Sequence, residues 1–322
     1  MSRPAPRPRI AITLGDPRGI GPEVARRAIE RLGDRQDAPQ LSVVLPSGSV
    51  RGERMLPEID AYAAARDRPV RDADAGRAAA RSIEIAVEAA LRGDFHAVVT
   101  APLHKPSLRA AGWDVPGQTE MLGRLAGAEN VGMLMAAEST RLGPPLRVLL
   151  ATTHLALRAV PDAVTADLIV AQAILLDRAL KSDWRIAAPR LGVCALNPHA
   201  SDGGLFGDEE ARVLEPAAAR LRALGVQASG PLPADTVFAR ALEGELDAVV
   251  APYHDVGMAA FKTVAFGSGV NVTLGLPFVR TSPDHGTAFD IAGTHRADES
   301  SMLEAVLLAA RLAHARFDMG EL

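Results

Sequence analysis

Short apolar runs alternate with longer stretches of helical periodicity along most of the chain. Residues 9–14 read as a buried strand running into a loop at 15–23. Pro22 and Glu23 are helix-start residues, and a helix is expected to about Leu32. Another strand is expected at 41–45. Segment 46–76 is polar and irregular, and its pattern assigns no element. A helix at 78–92 and a strand at 97–100 follow, and then strands at 134–136 and 146–152 flank the turn Gly143-Pro144-Pro145. A helix from Thr165 to about Leu180 is apolar almost all round over 168–176. Such a helix needs cover on every side, from the core or from a second subunit. Strands at 191–196, 247–251 and 270–274 and helices at 208–223 and 299–317 complete the series. Alternation of this kind specifies an α/β fold with a mostly parallel sheet. No tether-like linker is visible, so two domains would be intertwined.

Composition narrows the function classes. The 322 residues are 48% hydrophobic and 23% charged, with net charge −4, which is ordinary for a soluble enzyme. No basic run interleaved with aromatics points to nucleic acid. No apolar run reaches the roughly 18 residues needed to span a membrane. Residues 1–9 are rich in Pro and Arg without an apolar stretch, so they read as a tail and not a signal peptide. The only cysteine, Cys194, lies in an apolar strand and reads as a core residue. A cytoplasmic location is expected.

Three of the eight histidines end apolar runs: His154, His199 and His254. Ligands of α/β sheets gather beyond the carboxyl ends of strands, so three such histidines are placed to converge. Neutral imidazoles with one open position make a catalytic site for a divalent metal. Beyond His254 lie Lys262, Asn271 and Arg280. Lys and Arg suit phosphate or carboxylate, and Asn can orient a hydroxyl. Arg280 ends the apolar run 272–279. Two further turns could hold a cofactor or simply shape the chain. One is the loop of Gly15, Asp16 and Gly19, which is neither a G-x-G-x-x-G fingerprint nor a Walker loop. The other is the turn of Asp284 and His285, expected to precede a short helix.

Long ordered motifs add a resemblance. TLGDPRGIGPE at 13–23, LATTHLALR at 150–158, LNPHA at 196–200, GPLPADT at 230–236, YHD at 253–255 and GVNVTLGLPFVRTSPDHGTAFD at 269–290 resemble the 4-hydroxythreonine-4-phosphate dehydrogenase family of vitamin B6 biosynthesis. The likeness covers nearly the whole chain outside 46–76. It implies two intertwined α/β/α domains resembling isocitrate and isopropylmalate dehydrogenases, with the active cleft between them. Approximate boundaries are 1–125 plus 258–322 for the first domain and 126–257 for the second, which would carry dimer contacts.

The resemblance also implies a homodimer with shared active sites, using NAD or NADP and one divalent metal per site: zinc, magnesium or cobalt. His154, His199 and His254 would be the ligands, one of them donated across the dimer. Asp235 and Asp255 would lie near the metal, with catalytic roles. Gln118, Thr119, Lys262, Asn271 and Arg280 would bind the small phosphorylated hydroxy acid, Lys262 also as a proton-transfer group. Two positions depart from the family pattern: Gln118 stands where His is usual, and Val256 where Gln is frequent. The expected reaction is oxidation with decarboxylation of 4-hydroxythreonine 4-phosphate to 3-amino-2-oxopropyl phosphate. The alternatives are a dehydrogenase of threonate or erythronate 4-phosphate, a metal-dependent hydrolase or aldolase, or a metabolite-binding sensor.

Overall fold

The computed structural model describes residues 7–319 apart from 34, 36 and 37. Most of the Pro/Arg-rich tail at 1–9 lies outside the described residues. Eleven strands occur among them: β1 (Arg9–Thr13), β2 (Gln40–Leu45), β3 (Gly48–Val50), β4 (Ala97–Thr100), β5 (Gly132–Ala137), β6 (Leu146–Leu150), β7 (Arg190–Cys194), β8 (Gln227–Leu232), β9 (Ala248–Ala251), β10 (Val270–Leu274) and β11 (Val279–Pro283). The chain forms two compact units. One comprises the described residues up to Asn130 together with those from Leu276 onward; the other is Val131–Gly275. The division falls at 130/131 and 275/276 instead of the expected 125/126 and 257/258, so residues 258–275, with Lys262 and Asn271, belong to the second unit and not the first.

In the first unit the strand order is β3-β2-β1-β4-β11, parallel from β2 to β11 with β3 antiparallel at the edge. Strands β1 and β4 are apolar between Arg9 and the closing threonines Thr13 and Thr100 and are buried nearly throughout, as expected of parallel strands covered on both faces. The helix Gly21–Gly33 buries Val24, Ala25, Ala28, Ile29 and Leu32, a stripe at helical spacing. Segment 46–76 is not irregular. It holds β3, the helix Met55–Ala63 and the first turn of the helix Asp72–Leu91. These elements are short, and Pro57 and several charges blur their periodicity.

In the second unit the order is β10-β5-β6-β9-β7-β8. Strands β10, β5 and β6 are antiparallel in turn, and β6, β9, β7 and β8 run parallel. Met135, Val148, Leu150, Val249, Phe261 and Val237 build its buried core. The helix Ala166–Asp183 starts where Thr165 accepts from the Leu168 N–H at 3.1 Å. Its own chain buries Ile169, Val170, Ala173, Leu176 and Leu180. Leu168, Ile174 and Leu175 are only half-buried and Ala171 is exposed, so one chain covers part of the apolar circumference and leaves part of it open. Among the described residues no single helix is long and apolar enough to cross a membrane; Leu157–Ala163 and Ala166–Asp183 meet the test only as a pair bent by 88°.

Candidate active site

Strands β6, β9 and β7 are parallel neighbours, so the loops leaving their carboxyl ends share one edge of the second unit's sheet. His154 lies just beyond β6, and His254 just beyond β9. Backbone bonds tie these two exits together. Ala151 N–H donates to the Ala251 carbonyl at 2.9 Å, and Thr152 donates to the Pro252 carbonyl from its N–H at 3.2 Å and its hydroxyl at 2.8 Å. A Cβ at Gly257 would stand 2.6 Å from Leu150 Cδ2, so this glycine lets the helix His254–Ala265 lie close on β6.

The His154 and His254 ring centroids are consequently 5.6 Å apart, tilted by 41°. An ion about 2.1 Å from one nitrogen of each ring is compatible with that spacing. Asp255 Oδ1 lies 2.7 Å from His254 Nδ1. A carboxylate there accepts the Nδ1 proton and leaves the Nε2 lone pair for a ligand, the usual second partner of a metal-binding imidazole.

His199 stands apart from this pair. It sits beyond β7 on a turn with left-handed backbone at four successive non-glycine residues, φ being +52° at His199, +54° at Ala200, +67° at Ser201 and +44° at Asp202. Its Nδ1 is 3.9 Å from Asp235 Oδ2, and both side chains are exposed. Among the described residues no three His, Cys, Asp or Glu side chains lie close enough to hold one metal ion. Convergence within a single chain is thus limited to His154 and His254.

Sequence reasoning missed Glu210. Its carboxylate is 1% exposed and lies under the His199 turn. Oε1 accepts from the Leu196 and Asn197 N–H groups at 2.9 and 2.7 Å, and Oε2 accepts from Asn197 Nδ2 at 2.9 Å and from the Ser201 hydroxyl. Burial pushes its pKa up, but the bonds from Ser201 and Asn197 outweigh burial and hold it below the usual carboxylate value.

Two more expected residues belong to this unit. Lys262, half-buried on the helix His254–Ala265, places Nζ 5.7 Å from the centre of the exposed Phe266 ring. Asn271 on β10 keeps Oδ1 buried with no hydrogen-bond partner among the described residues. A buried acceptor of this kind costs free energy unless a bound molecule supplies a donor. Val256 packs against the core, which accounts for an apolar residue there. Cys194 is fully buried and free, and burial pushes its thiol up to about 12, as suits a core residue and not a nucleophile.

The first unit holds the remaining residues. Arg280, on β11, is 2% exposed, and its Nη2 donates to Thr100 Oγ1 at 2.6 Å and Gln118 Oε1 at 3.0 Å. Both acceptors are neutral. Burial pushes the guanidinium down to about 10, Glu120 acting in the opposite sense, so the group stays cationic at neutral pH. Gln118 spends its other end on the Ala101 carbonyl, from Nε2 at 3.2 Å. Gln118 and the buried Thr119 open the helix Gln118–Ala126, whose first N–H groups favour an anion. A buried cation thus lies on the strand next to this helix start.

The two turns considered for a cofactor also lie here. Gly15 has φ +70°, and a Cβ on it would fall 2.0 Å from the Pro102 carbonyl oxygen. Asp16 is buried and bonds Arg18 at 2.9–3.0 Å, while Gly19 abuts Thr287. This loop is packed on the chain's own atoms. Asp284 and the Ser301 hydroxyl bond each other at the first turn of the helix Ser300–Arg316, and His285 Nδ1 lies 3.0 Å from the Gly286 carbonyl oxygen. No short helix follows that turn. The chain continues in turns until Ser300, because Gly286, Gly293 and positive φ at Ala288 and His295 interrupt helical geometry.

Comparison with known proteins places the chain in a family. The family model for pyridoxal phosphate biosynthetic protein PdxA matches residues 28–309. The chain belongs to this family. A 4-hydroxythreonine-4-phosphate dehydrogenase of Geobacter metallireducens is 42% identical, the match covering 97% of this chain and 98% of that protein. The crystal structure of the enzyme of that name from Klebsiella pneumoniae superposes with TM-score 0.80 at 37% identity, over 95% of this chain and 99% of that one. A terephthalate 1,2-cis-dihydrodiol dehydrogenase of Burkholderia xenovorans is more distant, with TM-score 0.62 and 28% identity over 94% of this chain and 98% of that one. A beta-decarboxylating dehydrogenase of Thermococcus kodakarensis shares the fold, with TM-score 0.51 at 14% identity over 94% and 81% of the two chains. The PdxA family and the resemblance to the decarboxylating dehydrogenase fold, both expected from the motifs, are borne out.

Proposed function

We propose that the chain oxidises 4-hydroxythreonine 4-phosphate, with decarboxylation, to 3-amino-2-oxopropyl phosphate in vitamin B6 biosynthesis, using NAD and a divalent metal. The observation that carries this reading is the His154–His254 pair with Asp255 on Nδ1 of His254. The donor set suits zinc or cobalt well and magnesium less well, since imidazole prefers the softer ions. When bound, the metal supplies Lewis-acid polarisation of the reacting alcohol and NAD or NADP supplies the hydride acceptor.

The protein's own residues do the rest. Arg280 and Thr119 hold the phosphate. Asn271 Oδ1 accepts a hydrogen bond from a substrate hydroxyl or ammonium. Lys262 moves the proton, and Asp235 and Asp255 orient the imidazoles beside them. His199 of the partner subunit completes the ligand set, which explains why one chain brings only two histidines together. Val131–Gly275 then carries the dimer contacts, because Leu155, Leu157, Leu205 and Phe206 are exposed on the loops around His154 and His199. For the cofactor, Asp284 and His285 are better candidates than Gly15, Asp16 and Gly19, which the packed loop engages. A biosynthetic enzyme of this kind works in the cytoplasm.

Gln118 favours one other substrate class. Its uncharged amide, held by Ala101 and Arg280, replaces the usual His and so removes a titratable group from beside Arg280, which would suit the sugar-acid threonate or erythronate 4-phosphate as well. The test is kcat/KM for the two substrate types with NAD and with NADP. The expected result is preference for 4-hydroxythreonine 4-phosphate. A hundredfold preference for the sugar-acid phosphate would overturn the substrate while keeping the dehydrogenase.

A further inference from the structure

We infer that Glu210 is the positioning residue of His199, a buried carboxylate that holds the left-handed turn in the shape that presents the imidazole. The inference rests on the reading of His199 as a metal ligand. Four successive non-glycine residues with positive φ do not persist without outside support. Glu210 supplies it from both sides of His199, gripping Leu196 and Asn197 before it and Ser201 after it. Glu209 adds a bond from Asn197 Nδ2 at 2.7 Å. Glu210 also opens a turn of π-helix, Glu210–Leu214, an irregularity frequent near functional sites. Its carboxylate is an acceptor only, matching four donors; an amide of the same shape would turn an NH₂ group toward some of them.

Glu210→Gln therefore tests the clamp at constant size. In the metal-free protein the Leu196 and Asn197 amides should exchange with solvent at least about tenfold faster, while those of β9 stay protected. Titration with Co²⁺ should show affinity reduced by about 10–100-fold, the range for outer partners of metal ligands. The same substitution in a His199→Ala background should change Co²⁺ affinity less than about twofold, because the positioned ligand is gone. Should Glu210→Gln not fold, Ser201→Ala removes one grip and should weaken Co²⁺ roughly threefold. Native Co²⁺ affinity in a folded Glu210→Gln protein, or an equal loss with and without His199, would overturn the inference. Native affinity in His199→Ala alone would instead overturn the metal role of His199, and the inference with it.

Discussion

Replacing His254 with Ala should abolish turnover and bound metal together while leaving the protein folded. The loss expected is roughly a thousandfold or more, because Lewis-acid stabilisation of developing charge is worth several kcal/mol. The ring is partly exposed at the end of a strand whose core contacts come from Val249 and Ala251, so its removal leaves no cavity in the core. His154→Ala should behave alike, since the two rings share one approach. His199→Ala should lose activity and bind metal more weakly, while the remaining His154–His254 pair keeps a measurable affinity. Metal content by elemental analysis, alongside circular dichroism and the rate, checks this. A His254→Ala protein with native metal content and rate would remove the histidine pair from the mechanism.

The second large effect is at Arg280. Arg280→Met should lower kcat/KM about a thousandfold, equivalent to about 4 kcal/mol, within the range for truncating a buried hydrogen-bonded charge that meets an anion. Stability should move little, or rise. Burial lowers the folded-state pKa of Arg280 to about 10, well below the ordinary arginine value. Between those values the unfolded chain binds more protons, so stability increases with pH across that window. Below about 10 both states are charged and the cost of burying the cation is fully present. Met removes that cost, although Thr100 and Gln118 each lose a donor. Thermal unfolding and steady-state kinetics on the same preparation separate the two effects. A large fall in melting temperature with kcat/KM unchanged would make Arg280 a structural residue.

Much of this was legible in the residues. The three strand-end histidines stood out because each closes an apolar run, and Arg280 because it follows another. The pairing of His154 with His254 was not legible, because it depends on β6 and β9 being sheet neighbours although about a hundred residues separate them. The left-handed turn was hidden for a different reason. Asn197, Ser201, Asp202, Gly203 and Gly204 announce a turn, but not its hand, and non-glycine residues rarely take positive φ. Glu210 follows Asp208 and Glu209 at a helix start, where acids are common, and nothing local singles it out. Its role follows from burial, which no local pattern reports. Gln118 read as a substrate contact, yet both ends of its amide meet the protein, at Ala101 and Arg280. Helix Met55–Ala63 was lost to its shortness and to Pro57.

The most direct test of a metal- and nicotinamide-dependent dehydrogenase is the growth of NADH absorbance when purified protein meets 4-hydroxythreonine 4-phosphate and NAD. The comparison is between protein loaded with Co²⁺ or Zn²⁺ and the same protein after chelation. NADH should form with the metal, cease on chelation and return when the ion is restored. Substrate consumption without NAD by the metal-loaded protein, as a hydrolase or aldolase would show, or NADH formation unaffected by chelation, would contradict it.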